Sequence, residues 1–197
     1  IGAGNARRNR ISAAPVVAGG RVFAMDAGAR LSAVSTARAL LWSTDLRPEG
    51  DSGEISGGGL AFGAGRLFAT TGFGELVALD PASGAVVWRQ RLGAPATGAP
   101  AVEGQAVYAV GRDGSAWAVR ADNGRVLWQV PGTPETAGML GAAAPAVAGG
   151  MVLFPFASGE VVAVQAADGV RQWSAPVPGA RRGRAYGAIG VITGDPV

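Results

Sequence analysis

Residues 78–88 are Ala-Leu-Asp-Pro-Ala-Ser-Gly-Ala-Val-Val-Trp, with two apolar runs on either side of an Asp-Pro-Ala-Ser-Gly segment. Aspartate at the head of a turn accepts hydrogen bonds from its own backbone, proline presets φ, and glycine takes the positive φ that closes the turn. The stretch therefore predicts a β-hairpin whose second strand carries Trp88.

The same unit recurs along the chain. Residues 118–128 and 163–173 repeat it, with glycine six and tryptophan ten residues after an alanine, while residues 33–42 form a copy one residue shorter that lacks the glycine. The four tryptophans that mark the copies are spaced by 46, 40 and 45 residues, which is the period of a propeller blade. These markers are Trp42, Trp88, Trp128 and Trp173.

Glycine turns divide each unit into four short apolar runs, which predict a four-stranded antiparallel meander. Such a meander has two apolar faces and buries them against neighbouring copies. We therefore expect an all-β fold, a partial β-propeller formed by one domain over residues 1–197. The predicted blades cover approximately residues 13–43, 58–90, 98–130 and 143–175, and residues 176–197 form a linker and the start of a fifth blade.

Composition excludes most catalytic chemistry. The chain of 197 residues is 48% apolar and 16% charged, its basic residues are all arginine, and it has no histidine, lysine or cysteine. It therefore lacks an imidazole base, a thiolate and a Schiff-base amine, as well as the nitrogen and sulfur ligands that zinc prefers. Five aspartates beside glycine turns are interpreted as turn caps, and no catalytic, cofactor-binding or metal-binding residue is predicted. These aspartates are Asp26, Asp80, Asp113, Asp122 and Asp168.

Two arginine clusters offer positive charge, although the formal net charge is only +3. One consists of Arg7, Arg8 and Arg10, and the other of Arg181, Arg182 and Arg184. Neither has interleaved aromatic residues, so the sequence predicts solvated loops or a docking site for an anionic partner, and no nucleic acid. The uncharged residues 136–159 contain five glycines and two prolines, which favours two short strands over a membrane span.

The spacing Ala-x-Asp-x-x-x-Gly-x-x-x-Trp is complete at Ala78, Asp80, Gly84 and Trp88. It resembles the tryptophan-docking motif of quinoprotein-type propellers. The resemblance implies that the tryptophan on each outer strand packs on the next blade, which makes Trp42, Trp88, Trp128 and Trp173 structural docking residues. The other copies have Ser35, Arg120 and Gln165 at the aspartate position, so we expect those turns to be capped differently.

One branch with this motif comprises dehydrogenases that hold pyrroloquinoline quinone and calcium on the propeller axis. Their site needs converging Glu, Asn and Asp oxygens, whereas the asparagines here are Asn5, Asn9 and Asn123, the last in a peripheral turn. A fragment of such a dehydrogenase stays an alternative, as does another periplasmic or kinase-linked propeller binding module.

The chain is more similar to the B subunit of the bacterial outer-membrane β-barrel assembly machinery. Residues 7–23, the closing Ile-Thr-Gly-Asp-Pro-Val and the 51-residue spacing from Pro145 to Pro196 fit its early blades. The resemblance implies a non-catalytic eight-bladed scaffold without cofactor. It also implies a periplasmic lipoprotein attached to the inner leaflet of the outer membrane. Its implied partners are the POTRA domains of the central barrel-assembly subunit and unfolded outer-membrane proteins.

Four blades do not close an eight-bladed ring, and the lipidated cysteine of that family is missing. We therefore expect a piece of a longer lipoprotein, whose only membrane contact is a lipid anchor absent from this chain. Because two blade faces are left uncovered, we also expect self-association, for example as a two-fold pair.

The resemblance also places a partner site in the loops that precede the first strands of blades 4 and 5, residues 137–142 and 181–195. Met139 and Leu140 fall where the family has an apolar patch, and Arg181, Arg182 and Arg184 supply charge. The family's arginine is replaced by Leu140, and its acidic pair by Val191 and Thr193.

Overall fold

The computed structural model describes residues 13–50, 57–96, 98–131, 144–156 and 160–176. All regular secondary structure in these ranges is β, and it forms four sheets of four antiparallel strands. Within each sheet the strands lie side by side in chain order, as successive hairpins require. The predicted all-β fold of a partial propeller is confirmed, and the sheets are named blades 1 to 4 below.

Blades 1 and 2 contain β1 to β8. The strands of blade 1 are β1 (Val16–Ala18), β2 (Arg21–Met25), β3 (Arg30–Ser35) and β4 (Leu40–Asp45). The strands of blade 2 are β5 (Gly58–Gly63), β6 (Arg66–Thr71), β7 (Glu75–Leu79) and β8 (Val86–Arg91).

Blades 3 and 4 contain β9 to β16. The strands of blade 3 are β9 (Ala101–Glu103), β10 (Ala106–Val110), β11 (Ala116–Arg120) and β12 (Val126–Val130). The strands of blade 4 are β13 (Ala146–Ala148), β14 (Met151–Pro155), β15 (Glu160–Gln165) and β16 (Arg171–Pro176).

Two-residue glycine turns connect the first two strands of blades 1 and 4. Gly149 and Gly150 between β13 and β14 have φ of 58° and 78°, and Gly19 and Gly20 have φ of 55° and 72°. Two consecutive positive φ values are those of a type I′ turn, whose twist matches that of the paired strands. The uncharged segment around Gly149 therefore contains two short paired strands, as its glycines and prolines predicted.

The core consists of apolar layers between successive blades. Between blades 2 and 3, Phe68 and Leu76 pack with Val107 and Val119, and all four side chains are fully buried. Equivalent clusters join blade 1 to blade 2 and blade 3 to blade 4. Because successive residues of a strand point to opposite faces, the middle strands β6, β7, β10 and β11 contribute to a layer on each side.

Candidate functional site

The outermost strand of each blade carries one marker tryptophan, and three of these side chains contact the following blade. The indole N–H of Trp88 on β8 donates to the carbonyl of Ala121 in the β11–β12 turn at 3.1 Å. Trp42 makes the same bond to Pro81 at 3.1 Å, and Trp128 makes it to Ala166 at 3.0 Å. Each acceptor therefore lies at the same place in the turn of the next blade.

A glycine in each accepting turn lets the indole approach the backbone. Gly124 has a φ of 76°, and a Cβ atom built on it would lie 2.7 Å from Cε3 of Trp88. Gly169 is in the same situation against Trp128, and Gly84 against Trp42. Glycine is thus required twice, for its positive φ and for the absence of a side chain under the indole.

Each docked tryptophan also packs in a tilted arrangement against an aromatic ring of its own blade. Ring centroids are 5.9 Å apart in the pairs Phe23–Trp42, Phe68–Trp88 and Tyr108–Trp128. In the strand pairing, a fully buried alanine separates the two rings, as Ala78 does between Phe68 and Trp88. The second-strand aromatic was not singled out from the sequence, although it lies ten residues before that alanine in three copies.

Trp173 differs from the other three marker tryptophans. It lies on β16, the outermost strand of blade 4, but its side chain is 44% exposed, whereas Trp128 is 9% exposed. No described residue offers its indole the glycine turn of a following blade. Its expected burial at a blade junction is therefore not observed, because no fifth blade packs on it within the described ranges.

Blade 1 has an arginine where the other accepting turns have glycine. Arg38 in the β3–β4 turn has a φ of 65° and donates its backbone N–H to Ser35. In the described part of the chain no tryptophan is seated on this turn, so a side chain is tolerated there. The positive φ itself remains unfavourable for a residue with a Cβ atom.

The strand 3–strand 4 turns are capped by different side chains. Asp80 accepts from the backbone N–H groups of Ala82 and Ser83 and from the Ser83 hydroxyl, and these hydrogen bonds lower the pKa of Asp80. In blade 3, Arg120 forms an ion pair with Asp122, which lowers the pKa of Asp122. Asp80 is thus a turn cap, and the Asp122 carboxylate is occupied by its ion pair with Arg120.

A partly buried ion pair within blade 2 is linked to blade 1 by a hydrogen bond. Nη1 of Arg89 lies 2.6 Å from a carboxylate oxygen of Glu75, and it also donates to the carbonyl of Leu46 at 3.0 Å. The Glu75 side chain is only 9% exposed, so its charge needs this partner. The pair therefore holds the loop after β4 against β7 and β8.

The predicted partner-binding residues Met139, Leu140, Arg181, Arg182 and Arg184 lie outside the described residues. Their placement stays a prediction, as does that of the start of a fifth blade.

Oxygen ligands do not converge in the described ranges. No group of three or more His, Cys, Asp or Glu side chains that could hold a metal ion occurs there. Asn123 accepts the backbone N–H of Arg125 within the turn between β11 and β12, the two last strands of blade 3. These donors do not fit the ligand set of a quinone and calcium site.

The described ranges also contain no helix of the length and apolarity needed to cross a bilayer.

A family model described as "Outer membrane protein assembly factor BamB" matches residues 27–197. The chain belongs to the BamB family. The predicted resemblance to this branch of the quinoprotein-like propellers is thus confirmed. Membership in the BamB family favours a non-enzymatic protein. A search of curated proteins finds no match.

Solved structures support the fold. BamB from Moraxella catarrhalis is 20% identical with a TM-score of 0.69, over 84% of this chain and 48% of that one. Quinohemoprotein alcohol dehydrogenase from Comamonas testosteroni is 18% identical with a TM-score of 0.68, over 85% and 35%. The computationally designed Ika8 protein is 16% identical with a TM-score of 0.65, over 82% and 48%. The chain thus spans about half the length of the BamB structure, and at these identities the likeness concerns the fold alone.

Proposed function

We propose that this chain is part of a non-catalytic scaffold for the assembly and insertion of outer-membrane β-barrel proteins. The observation that carries the proposal is the match of the BamB family model over residues 27–197. The protein acts in the periplasm, attached to the inner leaflet of the outer membrane through a lipid anchor outside this chain.

The described residues support a binding role over catalysis. Asp80 is occupied as a turn cap, Asp122 is paired with Arg120, and Glu75 is paired with Arg89. The docked tryptophans lie between blades, where they stabilise the stack and leave the blade ends available for partners. A rigid stack of blades that displays loops suits a protein with binding surfaces.

The partner is the POTRA region of the central barrel-assembly subunit. Met139 and Leu140 provide the apolar anchor, and Arg181, Arg182 and Arg184 provide charge, because buried apolar and arginine side chains commonly dominate interface energy. Unfolded outer-membrane proteins are the second class of partner, and exposed blade faces allow self-association of this chain.

A pull-down with purified POTRA domains tests this assignment. The double variant Met139→Asp, Leu140→Asp is expected to lose binding while its circular dichroism spectrum is unchanged. The control is Leu41→Asp, Leu127→Asp, which adds the same charge on β4 and β12, at side chains that are 45% and 47% exposed. Equal binding by both variants, or unfolding of the first, contradicts the placement of the site.

The fold shared with quinohemoprotein alcohol dehydrogenase makes a dehydrogenase fragment the second candidate. We expect the chain to bind no pyrroloquinoline quinone and to oxidise no alcohol. Quinone absorbance retained after reconstitution with calcium and gel filtration, with dye-linked alcohol oxidation, would support the dehydrogenase instead.

A further inference from the structure

A pocket of about 310 Å³ lies between blades 1 and 2 at the end where β7 begins and β8 ends. Pro48 from the loop after β4, Phe73 before β7 and Pro95 from the loop after β8 supply three apolar rings to its wall. Glu75 and Arg91 supply its two ionisable side chains. These five residues define the Arg91 pocket.

The charge of the acidic member of the pocket is already compensated. Glu75 is paired with Arg89 at 2.6 Å, and Arg89 is fixed further by the carbonyl of Leu46. Arg91 lies directly opposite Glu75 in the β7–β8 pairing, yet it forms no ion pair with any described residue. Among the residues that the structure describes, the Arg91 pocket therefore carries one uncompensated positive charge beside three apolar rings.

The other blades do not reproduce this arrangement. The position of Arg91, three residues after the marker tryptophan, is occupied by Asp45, Pro131 and Pro176 in blades 1, 3 and 4. Asp45 is paired with Arg47 at 2.8 Å. A repeated structural role would have placed similar residues in each blade, so the unpaired arginine is a feature of blade 2 rather than of the propeller repeat.

We propose that the Arg91 pocket binds an acidic side chain that adjoins an aromatic residue in an extended segment of a protein partner. The guanidinium of Arg91 receives the carboxylate, because its planar donors match two carboxylate oxygens. The aromatic side chain packs on the rings of Pro48, Phe73 and Pro95. A cationic side chain is repelled by Arg91. This site goes beyond the proposed scaffold role and does not depend on which assembly the scaffold serves.

Nuclear magnetic resonance titration of the ¹⁵N-labelled chain tests the proposal with two capped peptides, acetyl-Ser-Phe-Asp-Ser-amide and acetyl-Ser-Phe-Asn-Ser-amide. We expect saturable shifts of the amides of Gly74 and Gly93, which line the pocket. The aspartate peptide should bind at least about threefold more tightly than the asparagine peptide, the range expected for a solvent-accessible ion pair. Absence of saturable shifts with either peptide overturns the proposal.

Two variants assign the preference to Arg91. Arg91→Gln should remove the difference between the peptides, and Arg91→Lys should retain part of it. The control Arg125→Gln removes an exposed arginine from the β11–β12 turn, at the opposite end of the blades, and should leave the preference intact. A preference that persists in Arg91→Gln, in a variant whose other amide shifts match the wild type, refutes recognition by Arg91.

Discussion

The contact between Trp88 and Gly124 allows the cost of crowding the docked indole to be separated from the cost of backbone strain. In Gly124→Ala, the new Cβ atom meets the indole at 2.7 Å while the residue keeps a φ of 76°. The control is Gly65→Ala, because Gly65 has a φ of 71° and no heavy atom lies within 4 Å of its added Cβ. Both variants carry the left-handed backbone penalty of about 1–2 kcal/mol.

Only Gly124→Ala also displaces the indole. It adds about 1–3 kcal/mol for overpacking, and about 1 kcal/mol if the hydrogen bond from Trp88 to Ala121 is lost. We therefore expect the unfolding free energy to fall by about 3–6 kcal/mol in Gly124→Ala and by about 1–2 kcal/mol in Gly65→Ala. Urea unfolding followed by far-ultraviolet circular dichroism measures both.

A double-mutant cycle completes the test. Once Trp88→Ala has removed the indole, Gly124→Ala should cost only the backbone penalty. The cycle should therefore give a coupling of about 2–4 kcal/mol between the two positions. Equal costs for Gly124→Ala and Gly65→Ala, or a coupling near zero, would refute the conclusion that this glycine serves the tryptophan of the preceding blade.

Three further predictions concern single side chains. Trp128→Phe removes the N–H that bonds Ala166 and should lower the unfolding free energy by about 1–2 kcal/mol. Trp173 is exposed, so Trp173→Phe should change the unfolding free energy by less than about 0.5 kcal/mol. Similar losses in the two variants would contradict the conclusion that, of these two tryptophans, only Trp128 is docked. Arg38→Gly should raise the unfolding free energy by about 0.5–1 kcal/mol, because glycine adopts the positive φ of this position without strain. The control Ala37→Gly, at a neighbour without positive φ, should lower the unfolding free energy, and a decrease in Arg38→Gly as well would contradict the prediction. The pKa of Asp80 is lowered from 3.8, chiefly by the hydrogen bond from the Ser83 hydroxyl. The stability that the ionised Asp80 adds to the folded state is therefore complete above the unfolded-state pKa, and it is lost as the pH falls through the lower folded-state pKa. Melting temperatures should therefore fall less on acidification for Asp80→Asn than for the wild type, and parallel curves would argue against the cap.

The strand-level architecture was predictable because its signals are local. Alternating apolar runs and glycine turns specify hairpins, and the regular spacing of Trp42, Trp88 and Trp128 specifies equivalent outer strands. The docking role of the tryptophans was predicted from the family motif, because the residues alone do not indicate which carbonyl accepts the indole N–H. The structure supplies these acceptors as Pro81, Ala121 and Ala166.

The Arg91 pocket could not be predicted from the sequence. Its walls come from segments that converge only when blade 1 packs on blade 2, namely Pro48, Phe73 and Pro95. The pairing of Glu75 with Arg89, instead of with Arg91 directly opposite, depends on the carbonyl of Leu46 in the neighbouring blade. Sequence spacing does not indicate which of two arginines on one strand pairs with the glutamate.

The proposed scaffold role is tested most directly by isothermal titration of this chain with the purified POTRA domains of the central barrel-assembly subunit. The account predicts saturable one-to-one binding whose affinity falls as salt is raised, because arginine side chains contribute to the interface. No heat of binding, from a chain with the circular dichroism of a folded β-protein, would contradict it.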